Sequence, residues 1–340
     1  MIDLIHIGDY KTGTSWLQQQ FFSEHSELFY VDSGAYPEVV HLMHQLVDQR
    51  DLDFDAGSLR EKFTDALRGI DSKNKKIVIS REVLSGTYPS GDHAKRIAER
   101  LHLVFGDTKV FLVVREQFSM LKTIYSQYIK MGGTLNFKEF VYDPVISPGL
   151  IEKLKYHKII DTYVNLFGED NVLIGLFEEF KSKNQYFAKR VLNFIDCTDD
   201  WHLVEKKCVI NPSLRKAGIA VQRFANHFLR NNFNSRKPLF PIDRIAALFL
   251  SQKKKQKLLD ITRNRLVYSR KGYDDEFVLR YAINFGLTVR LSVFCERIQI
   301  GPKLSVPVQI VDDLKGEFVE SNKLLCEKYG LPVDKFGWTL

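Results

Sequence analysis

Cysteine is scarce in this sequence of 340 residues, which contains only four. No Cys-x-x-Cys pair and no spacing typical of metal ligands occurs among them: they are Cys197, Cys208, Cys295 and Cys326. Disulfide-bonded scaffolds are rich in cysteine and belong to oxidising compartments. The scarcity therefore argues against a disulfide framework and predicts buried or free thiols in a reducing compartment.

Long hydrophobic runs are also missing from the sequence. No apolar stretch approaches the roughly 18 residues that a membrane-spanning helix needs. The first predicted strand begins almost at the N-terminus, which leaves no room for a signal peptide. We therefore expect no transmembrane segment, while peripheral contact with a membrane surface stays open.

The charge balance points to an anionic partner. Hydrophobic residues make up 44% and charged residues 27% of the sequence, which is typical of a globular protein. The net charge of +7 suits a nucleic acid, a polyanionic nucleotide or a negatively charged glycan. The basic residues are scattered along the chain, so we expect no nucleic acid among the partners.

Short apolar runs alternate with longer helical patterns in the first two thirds of the sequence. This alternation predicts an α/β fold with a parallel β-sheet flanked by helices on both faces. The predicted strands cover residues 2–7, 76–80, 110–114 and 172–176. The predicted helices cover residues 16–29, 59–68, 93–105, 118–131 and 151–167. We expect one domain over residues 1–340, with a core of about 1–215 and a helical, basic C-terminal part of about 216–340.

The loop after the first predicted strand has the character of a phosphate-binding loop. Gly8 and Gly13 have the spacing of a Walker A loop, G-x-x-x-x-G. Glycines allow backbone N–H groups to turn toward an oxyanion, and the N-terminus of the following helix favours negative charge. A Walker A loop continues with lysine, which is absent here, and the lysine lies inside the loop at Lys11. The pattern predicts a phosphate site that differs from that of ordinary ATPases and GTPases.

The segment from Lys11 to Trp16, KTGTSW, resembles the 5′-phosphosulfate loop of the sulfotransferases that use 3′-phosphoadenosine 5′-phosphosulfate (PAPS). The resemblance implies a P-loop NTPase-like sulfotransferase fold. It also implies that Lys11 stabilises the leaving phosphate and that Trp16 stacks on the adenine. The 5′-phosphate would be held by Thr12, Gly13, Thr14 and Ser15.

A second motif starts at the end of the third predicted strand, where Arg115 follows FLVV. Thr123 comes eight positions later, inside the next predicted helix. This spacing resembles the family's 3′-phosphate element, an arginine followed eight residues later by serine. The guanidinium fork suits a phosphate dianion. The resemblance therefore implies that Arg115 and Thr123 bind the 3′-phosphate of the donor.

A third motif, Ser80-Arg81-Glu82, follows the second predicted strand. Glycan sulfotransferases resembling this sequence often carry a Ser-x-Glu element here, whose glutamate deprotonates the acceptor hydroxyl. Glu82 is thus the candidate catalytic base beside Lys11. Members that act on steroids and phenols use a histidine near this region, and His93 stays open as an alternative base.

The resemblance implies a transferase that moves a sulfuryl group from PAPS to an acceptor hydroxyl and releases PAP. Glutamate and a basic surface favour a carbohydrate acceptor, such as a precursor of a cell-surface polysaccharide. We expect no metal requirement, because no Walker B-type acidic strand end is apparent. Family members of the Golgi normally carry an N-terminal membrane anchor, so the sequence favours a bacterial-type cytoplasmic enzyme.

Two other functions remain open at the level of sequence. A P-loop kinase for a small molecule would need Mg²⁺ and a lysine directly after Gly13, where the sequence has Thr14. A non-enzymatic binder of acidic glycan or nucleic acid would explain the net charge, but not three motifs at one sheet edge. The acceptor, the oligomeric state and the role of residues 220–305 cannot be derived from the sequence.

Overall fold

A computed structural model describes residues 2–9, 11–31, 35–70, 72, 74–197, 214–229, 247–266 and 275–340. The chain divides into two compact units. The first unit comprises Met1–Met120, Pro144–Ile210 and Val308–Leu340, and the second comprises Leu121–Asp143 and Asn211–Pro307. Cys208 lies outside the described residues, and the other three cysteines are free.

The first unit is built on a five-stranded parallel sheet in the order β2-β3-β1-β4-β5. The strands are β1 Leu4–Ile7, β2 Leu28–Tyr30, β3 Lys76–Arg81, β4 Lys109–Val114 and β5 Val172–Leu176. Most of their side chains are buried on both faces of the sheet, as expected for a parallel sheet covered by helices on both sides. The α/β fold and the four strands predicted from the sequence are confirmed.

Helices fill the connections between these strands. Those that belong to the first unit are α1 Thr14–Trp16, α2 Pro37–Asp48, α3 Ala56–Arg68, α4 Ala94–Phe105, α7 Ser147–Leu154, α8 Tyr156–Phe167, α9 Phe177–Ser182, α10 Asn184–Phe194 and α14 Val308–Tyr329. α1 continues as a π-helix over Leu17–Phe22. Helix α5, Gln117–Lys130, begins in the first unit and ends in the second.

The helix predicted over residues 16–29 is wrong in its second half. The helical segment ends at Phe22, and Leu28–Tyr30 instead forms edge strand β2, which pairs with β3. Aromatic residues recur in this stretch with a spacing that fits a helix. Pairing with a neighbouring strand outweighs that local pattern, because the short run is half-buried and hydrogen-bonded in the sheet.

The helix predicted over residues 151–167 is in fact two helices, α7 and α8. Lys155 separates them with a non-helical backbone (φ −81°, ψ 72°). Its ammonium group forms salt bridges with Glu152 and Glu317, over 2.8 and 2.7 Å. The break turns the chain between two amphipathic segments that the sequence pattern cannot distinguish from one helix.

One face of the sheet packs against α1, its π-helical continuation and α10. The residues buried there include Leu4, Leu17, Phe21, Phe22, Val78, Phe111, Val113, Phe187, Val191 and Leu192. Gly175 in β5 is part of this packing, because a Cβ atom there would lie 2.6 Å from the ring of Phe187. The glycine therefore permits an aromatic ring to lie directly on the strand.

Where the structure describes it, the second unit is helical. The helices described there, besides the end of α5, are α6 Phe137–Val141, α11 Lys216–Asn226, α12 Gln252–Leu266 and α13 Asp275–Arg297. α11 crosses α13 closely, since a Cβ atom on Gly218 would lie 2.7 Å from the carbonyl oxygen of Cys295. The buried amide of Asn226 donates to the carbonyls of Ile129 and Gly133 and fixes α11 to the end of α5.

Within α13, Val278–Arg297 is long and apolar enough to cross a membrane by length and composition alone, with a mean hydropathy of 1.3. In the structure 44% of this stretch is buried inside the protein. The sequence analysis expected no apolar stretch of about 18 residues. The stretch that the structure shows contains Arg280 and Arg290.

We expect Gly175→Ala to destabilise the protein by about 1–3 kcal/mol, because the added methyl group must displace the ring of Phe187. Gly316→Ala is the matched control: Gly316 lies in α14 with open space around it, and alanine should stabilise that helix by about 0.5–1 kcal/mol. Urea denaturation of both variants measures the difference. Equal effects at the two positions would contradict the packing described for β5.

Candidate active site

The sheet order brings three loops together at the carboxyl edge of the sheet. β1 is central, with β3 on one side and β4 on the other. The chain leaves β1 toward β2 and leaves β4 toward β5, in opposite directions along the sheet. Ligands of open α/β sheets bind at such a switch point. Lys11 follows β1, Glu82 follows β3 and Arg115 follows β4, so the three predicted motifs lie at this edge.

Buried hydroxyl groups shape the loop after β1. Thr12 and Thr14 both donate to the backbone carbonyl of Asp9, over 2.8 and 3.3 Å. Gly8 faces the Thr14 side chain, and a Cβ atom there would lie 2.6 Å from its Oγ1. Gly13 has φ +89° and would bring a Cβ atom within 2.7 Å of the Phe180 ring. Both glycines of the Walker-like spacing are therefore required by the packing of the loop.

The two threonines thus use their hydroxyl groups to hold the loop. The backbone N–H groups at the N-terminus of α1 and the exposed hydroxyl of Ser15 suit an oxyanion. The sequence analysis expected Thr12 and Thr14 among the residues that bind the donor.

Lys11 has a left-handed backbone conformation with φ +62°, which is rare for a residue with a side chain. Its carbonyl oxygen accepts a hydrogen bond of 3.0 Å from Nη1 of Arg115. The arginine from β4 thereby helps to hold Lys11 in this conformation, and it connects two of the three predicted motifs directly.

The Arg115 guanidinium is held from several directions. Its Nε and Nη2 donate to the hydroxyl of Ser119 over 3.0 and 2.8 Å, and its plane lies 4.4 Å from the Phe177 ring centroid. With the bond to Lys11, three of its five N–H groups are used, which leaves two for a ligand. Burial lowers the pKa of Arg115, but an arginine stays charged in any case.

The hydroxyl group that contacts Arg115 belongs to Ser119, four residues after the arginine. The sequence analysis expected Thr123 to bind the 3′-phosphate together with Arg115, and Thr123 is half-buried one helical turn further along α5. The sequence does hold a signal for Ser119, because an arginine before a helix and a serine one turn into it can meet.

Glu82 begins the short 3₁₀-helix Glu82–Ser85 directly after β3. Burial raises the pKa of its carboxyl group from the ordinary 4.5 to about 7. Nearby charges modify this shift: Lys11 and Lys153 lower the pKa, and Asp9 raises it. A half-buried carboxyl group that titrates near neutral pH can accept a proton from a bound hydroxyl group.

Ser80, the first residue of the Ser-x-Glu motif, is fully buried and lies too deep to meet a substrate. Its hydroxyl bonds to Nδ1 of His6 in β1 over 2.7 Å and accepts from the amide of Gln18 over 3.1 Å. Burial lowers the pKa of His6 to about 3, so this histidine is neutral. Ser80 therefore fixes the end of β3, just before Glu82, to β1 and to the π-helical continuation of α1.

A buried ion pair lies beside the loop and was missed by the sequence analysis. Nζ of Lys153 in α7 lies 2.8 Å from the carboxylate of Asp9, and both side chains are nearly inaccessible. Ser85 also donates to that carboxylate, over 3.4 Å. No local sequence pattern predicts this ion pair, because Asp9 and Lys153 are 144 residues apart in the sequence.

Two aromatic residues of α9, Phe177 and Phe180, pack against residues of the candidate site. Phe180 meets the edge of the Trp16 ring with centroids 5.0 Å apart, and it also touches Gly13. Phe177 lies under Arg115. Trp16 is half-buried in this contact, with one face toward Phe21. The spacing of Phe177 and Phe180 on one helix face is the signal that could have identified them.

His93 differs from Glu82 in its surroundings. It is exposed, it caps the N-terminus of α4, and it has φ +68°. Among the residues that the structure describes, no group of three or more histidine, cysteine or acidic side chains is arranged to hold a metal ion.

Comparison with known proteins gives results at the level of fold. No protein-family model and no curated protein matches the sequence. The structure is similar to a sulfotransferase from Alicyclobacillus acidocaldarius, with 14% identity and a TM-score of 0.47, over 62% of this chain and 87% of that one. It is also similar to the sulfotransferase domain from the curacin biosynthetic pathway, with 13% identity and a TM-score of 0.43, over 62% and 78% of the two chains. Both identities are below 15%, so these similarities concern the fold alone.

Proposed function

We propose that the protein is a sulfotransferase that moves a sulfuryl group from PAPS to a hydroxyl group of a carbohydrate. The observation that carries the proposal is the raised pKa of Glu82, about 7, at the edge of the sheet where Lys11 also lies. Lys11 is close enough to lower that pKa by its charge. A proton acceptor and a positive charge near the switch point of the sheet support transfer of an anionic group.

The reaction proceeds by in-line displacement at sulfur. The acceptor oxygen forms a bond to sulfur, and its proton passes to the Glu82 carboxylate. The bond between sulfur and the bridging oxygen of the 5′-phosphate breaks, and PAP leaves with the negative charge. Lys11 offsets the charge that grows on that oxygen. Positioning and charge stabilisation are the main contributions in such transfers.

In this proposal the phosphate groups of the donor contact Arg115 and the N-terminus of α1. The two remaining N–H groups of Arg115 suit bidentate contact with a terminal phosphate, which in PAPS is the 3′-phosphate. The backbone N–H groups at the start of α1 and the Ser15 hydroxyl suit the 5′-phosphate. Thr123 and Trp16 complete the proposed donor site, as the family resemblance implies.

The proposed acceptor is based on the surroundings of Glu82 and on the net charge, and the proposed compartment is based on the free cysteines. Glu82 is shielded and titrates near neutral pH, whereas His93 is exposed, so Glu82 suits proton removal from a weakly acidic sugar hydroxyl better. The positive net charge suits an acceptor that is part of an acidic glycan. Free cysteines in the described residues suit the cytoplasm.

The donor assignment is tested by nucleotide binding in excess EDTA. We expect PAP to bind far more tightly than AMP, because only PAP has a 3′-phosphate. Arg115→Ala should remove this preference by lowering the affinity for PAP about 10- to 150-fold. This corresponds to the loss of about 1.5–3 kcal/mol from a charge-assisted hydrogen bond. Calorimetry measures both constants.

Arg60→Ala is the control for the donor test, because Arg60 also donates to backbone carbonyls but lies on α3, away from the loop. Equal affinity of the wild type for PAP and AMP would refute the proposed donor. Tight ATP binding that requires Mg²⁺ would favour a kinase instead.

The base assignment is tested with Glu82→Gln, which keeps the shape but cannot accept a proton. We expect turnover to fall about 10²–10⁴-fold with PAP affinity close to that of the wild type. In the wild type, kcat/KM should rise with pH through about 7, because Glu82 must be deprotonated. A fully active Glu82→Gln enzyme with an inactive His93→Ala enzyme would overturn the assignment.

The same substitution should change the pH dependence of stability. The folded wild type binds more protons than the unfolded chain between pH 4.5 and about 7, because folding raises the pKa of Glu82. The wild type therefore loses stability relative to Glu82→Gln as the pH rises through this window, and the difference is constant above it. Urea denaturation at pH 5 and pH 8 measures this difference, and a relative gain by the wild type would contradict the raised pKa.

We expect the charge of Lys153 to influence the reaction by lowering the pKa of Glu82. Lys153→Met removes a cation that lowers the pKa of Glu82 and leaves Asp9 without its ion pair, so the rise in kcat/KM should shift by about one unit toward higher pH. Lys155→Met is the matched control, since Lys155 pairs with Glu152 and Glu317. A midpoint of the pH profile that is the same in Lys153→Met and the wild type would exclude this role.

A further inference from the structure

Helix α13 in the second unit exposes large apolar side chains while it buries polar ones. Beside the apolar Val278, Ile283 and Cys295, its buried face includes Asn284, Thr288 and Ser292, each less than 8% exposed. Its exposed face carries Val289 and Phe294, which are 44% and 59% exposed, together with Val293. A helix on the surface of a globular protein normally buries its apolar face.

Arginines accompany the exposed apolar residues. Arg290 and Arg297 are exposed, and their spacing places them on the same face as Val293 and Phe294. The one acidic residue near this end of the helix, Glu296, forms an ion pair with Lys130 within the second unit. The outer face of α13, defined as Val289, Arg290, Val293, Phe294 and Arg297, therefore combines apolar surface with positive charge.

Helix α12 packs against α13 and adds further positive charge. It contains six lysine and arginine residues against a single acidic residue, Asp260. Lys253, Lys254 and Lys257 are exposed to solvent. Just before this helix, Leu248 and Phe249 are more than 80% exposed. Exposed large apolar residues next to a lysine cluster repeat the composition of the outer face of α13.

We propose that the outer face of α13, with the lysines of α12, binds the surface of a membrane that contains anionic lipids. Apolar side chains beside lysine and arginine are the combination that inserts shallowly into the headgroup region and is attracted by anionic headgroups. Long basic side chains can keep their charges at the headgroups while their stems contact apolar surface. The proposal is independent of the reaction assigned to the first unit.

A surface contact agrees better with the packing of α13 than a membrane span does. The buried face of α13, with its polar and apolar side chains, is already packed inside the protein, and α11 crosses α13 at Gly218 and Cys295. A spanning helix would have to leave these contacts. A protein partner would not require arginines and lysines beside the apolar residues, whereas an anionic lipid surface is complementary to them.

The test is co-sedimentation of the full-length protein with vesicles of phosphatidylcholine alone or with phosphatidylglycerol added. We expect binding to the mixed vesicles only, reduced at high salt because the attraction is screened. The double variant Val293→Ser/Phe294→Ser should lower the partition coefficient at least about tenfold through the loss of apolar contact. Lys253→Glu/Lys254→Glu/Lys257→Glu should lower it by a similar factor or more.

The control for charge is Lys62→Glu/Lys323→Glu/Lys335→Glu, which makes the same change of net charge on exposed lysines of the first unit. This variant should bind mixed vesicles within about twofold of the wild type, beyond the small effect of net charge. Circular dichroism verifies that each variant is folded. Absence of binding by the folded wild type, or equal loss in the control, would overturn the proposal. So would vesicle-independent self-association that Val293→Ser/Phe294→Ser abolishes, since the face would then be a protein interface.

Discussion

The backbone carbonyl of Asp9 is the point on which the geometry of the site depends. Thr12 and Thr14 have buried hydroxyl groups, and a buried hydroxyl needs a partner to offset its lost hydration. Both find that partner in this one oxygen. These two hydrogen bonds fix the shape of the loop after β1. Within this loop, Lys11 has a left-handed backbone conformation. The bond from Arg115 to the Lys11 carbonyl then holds the turn from the side of β4.

The side chain of the same aspartate brings a second constraint. Removing Asp9 and Lys153 from water costs free energy that their attraction does not reliably recover, so a buried pair of this kind is weak evidence of stabilisation. Its effect on charge is more specific. The pair lies beside Glu82, where the lysine lowers and the aspartate raises the pKa of that carboxyl group. Asp9 thus fixes the loop through its backbone carbonyl, and together with Lys153 it modifies the pKa of Glu82, which burial raises.

Local sequence patterns predicted the parts of the structure that are themselves local. The strands follow from β-branched runs, and the loop follows from Gly8 and Gly13, whose spacing reflects two close approaches in the fold. Strand β2 was missed because three residues give too short a pattern. The break at Lys155 was missed because amphipathic periodicity continues across it.

The candidate site was predicted in outline, and its long-range contacts were not. Residue type and position at strand ends indicated Lys11, Glu82 and Arg115. Lys153 has no such signal, because it reaches Asp9 only through the packing of α7. The roles of side chains within the motifs also depended on tertiary contacts. Ser80 matches the serine of the Ser-x-Glu motif in the sequence, and in the structure its buried hydroxyl is bonded to His6 and Gln18.

Glu152 and Glu82 show which physical factor distinguishes a candidate base from a surface carboxylate. Each has two lysines nearby: hydrogen bonds from Lys155 and Lys158 lower the pKa of Glu152, whereas the pKa of Glu82 is raised beside Lys11 and Lys153. The difference is burial, since the Glu152 side chain is about half exposed and water stabilises its charge. A carboxyl group whose pKa is raised by folding lowers the stability of the protein at neutral pH. Such a cost is expected where a function needs the proton affinity, and a carboxyl group used only for structure would be better placed in the surroundings of Glu152.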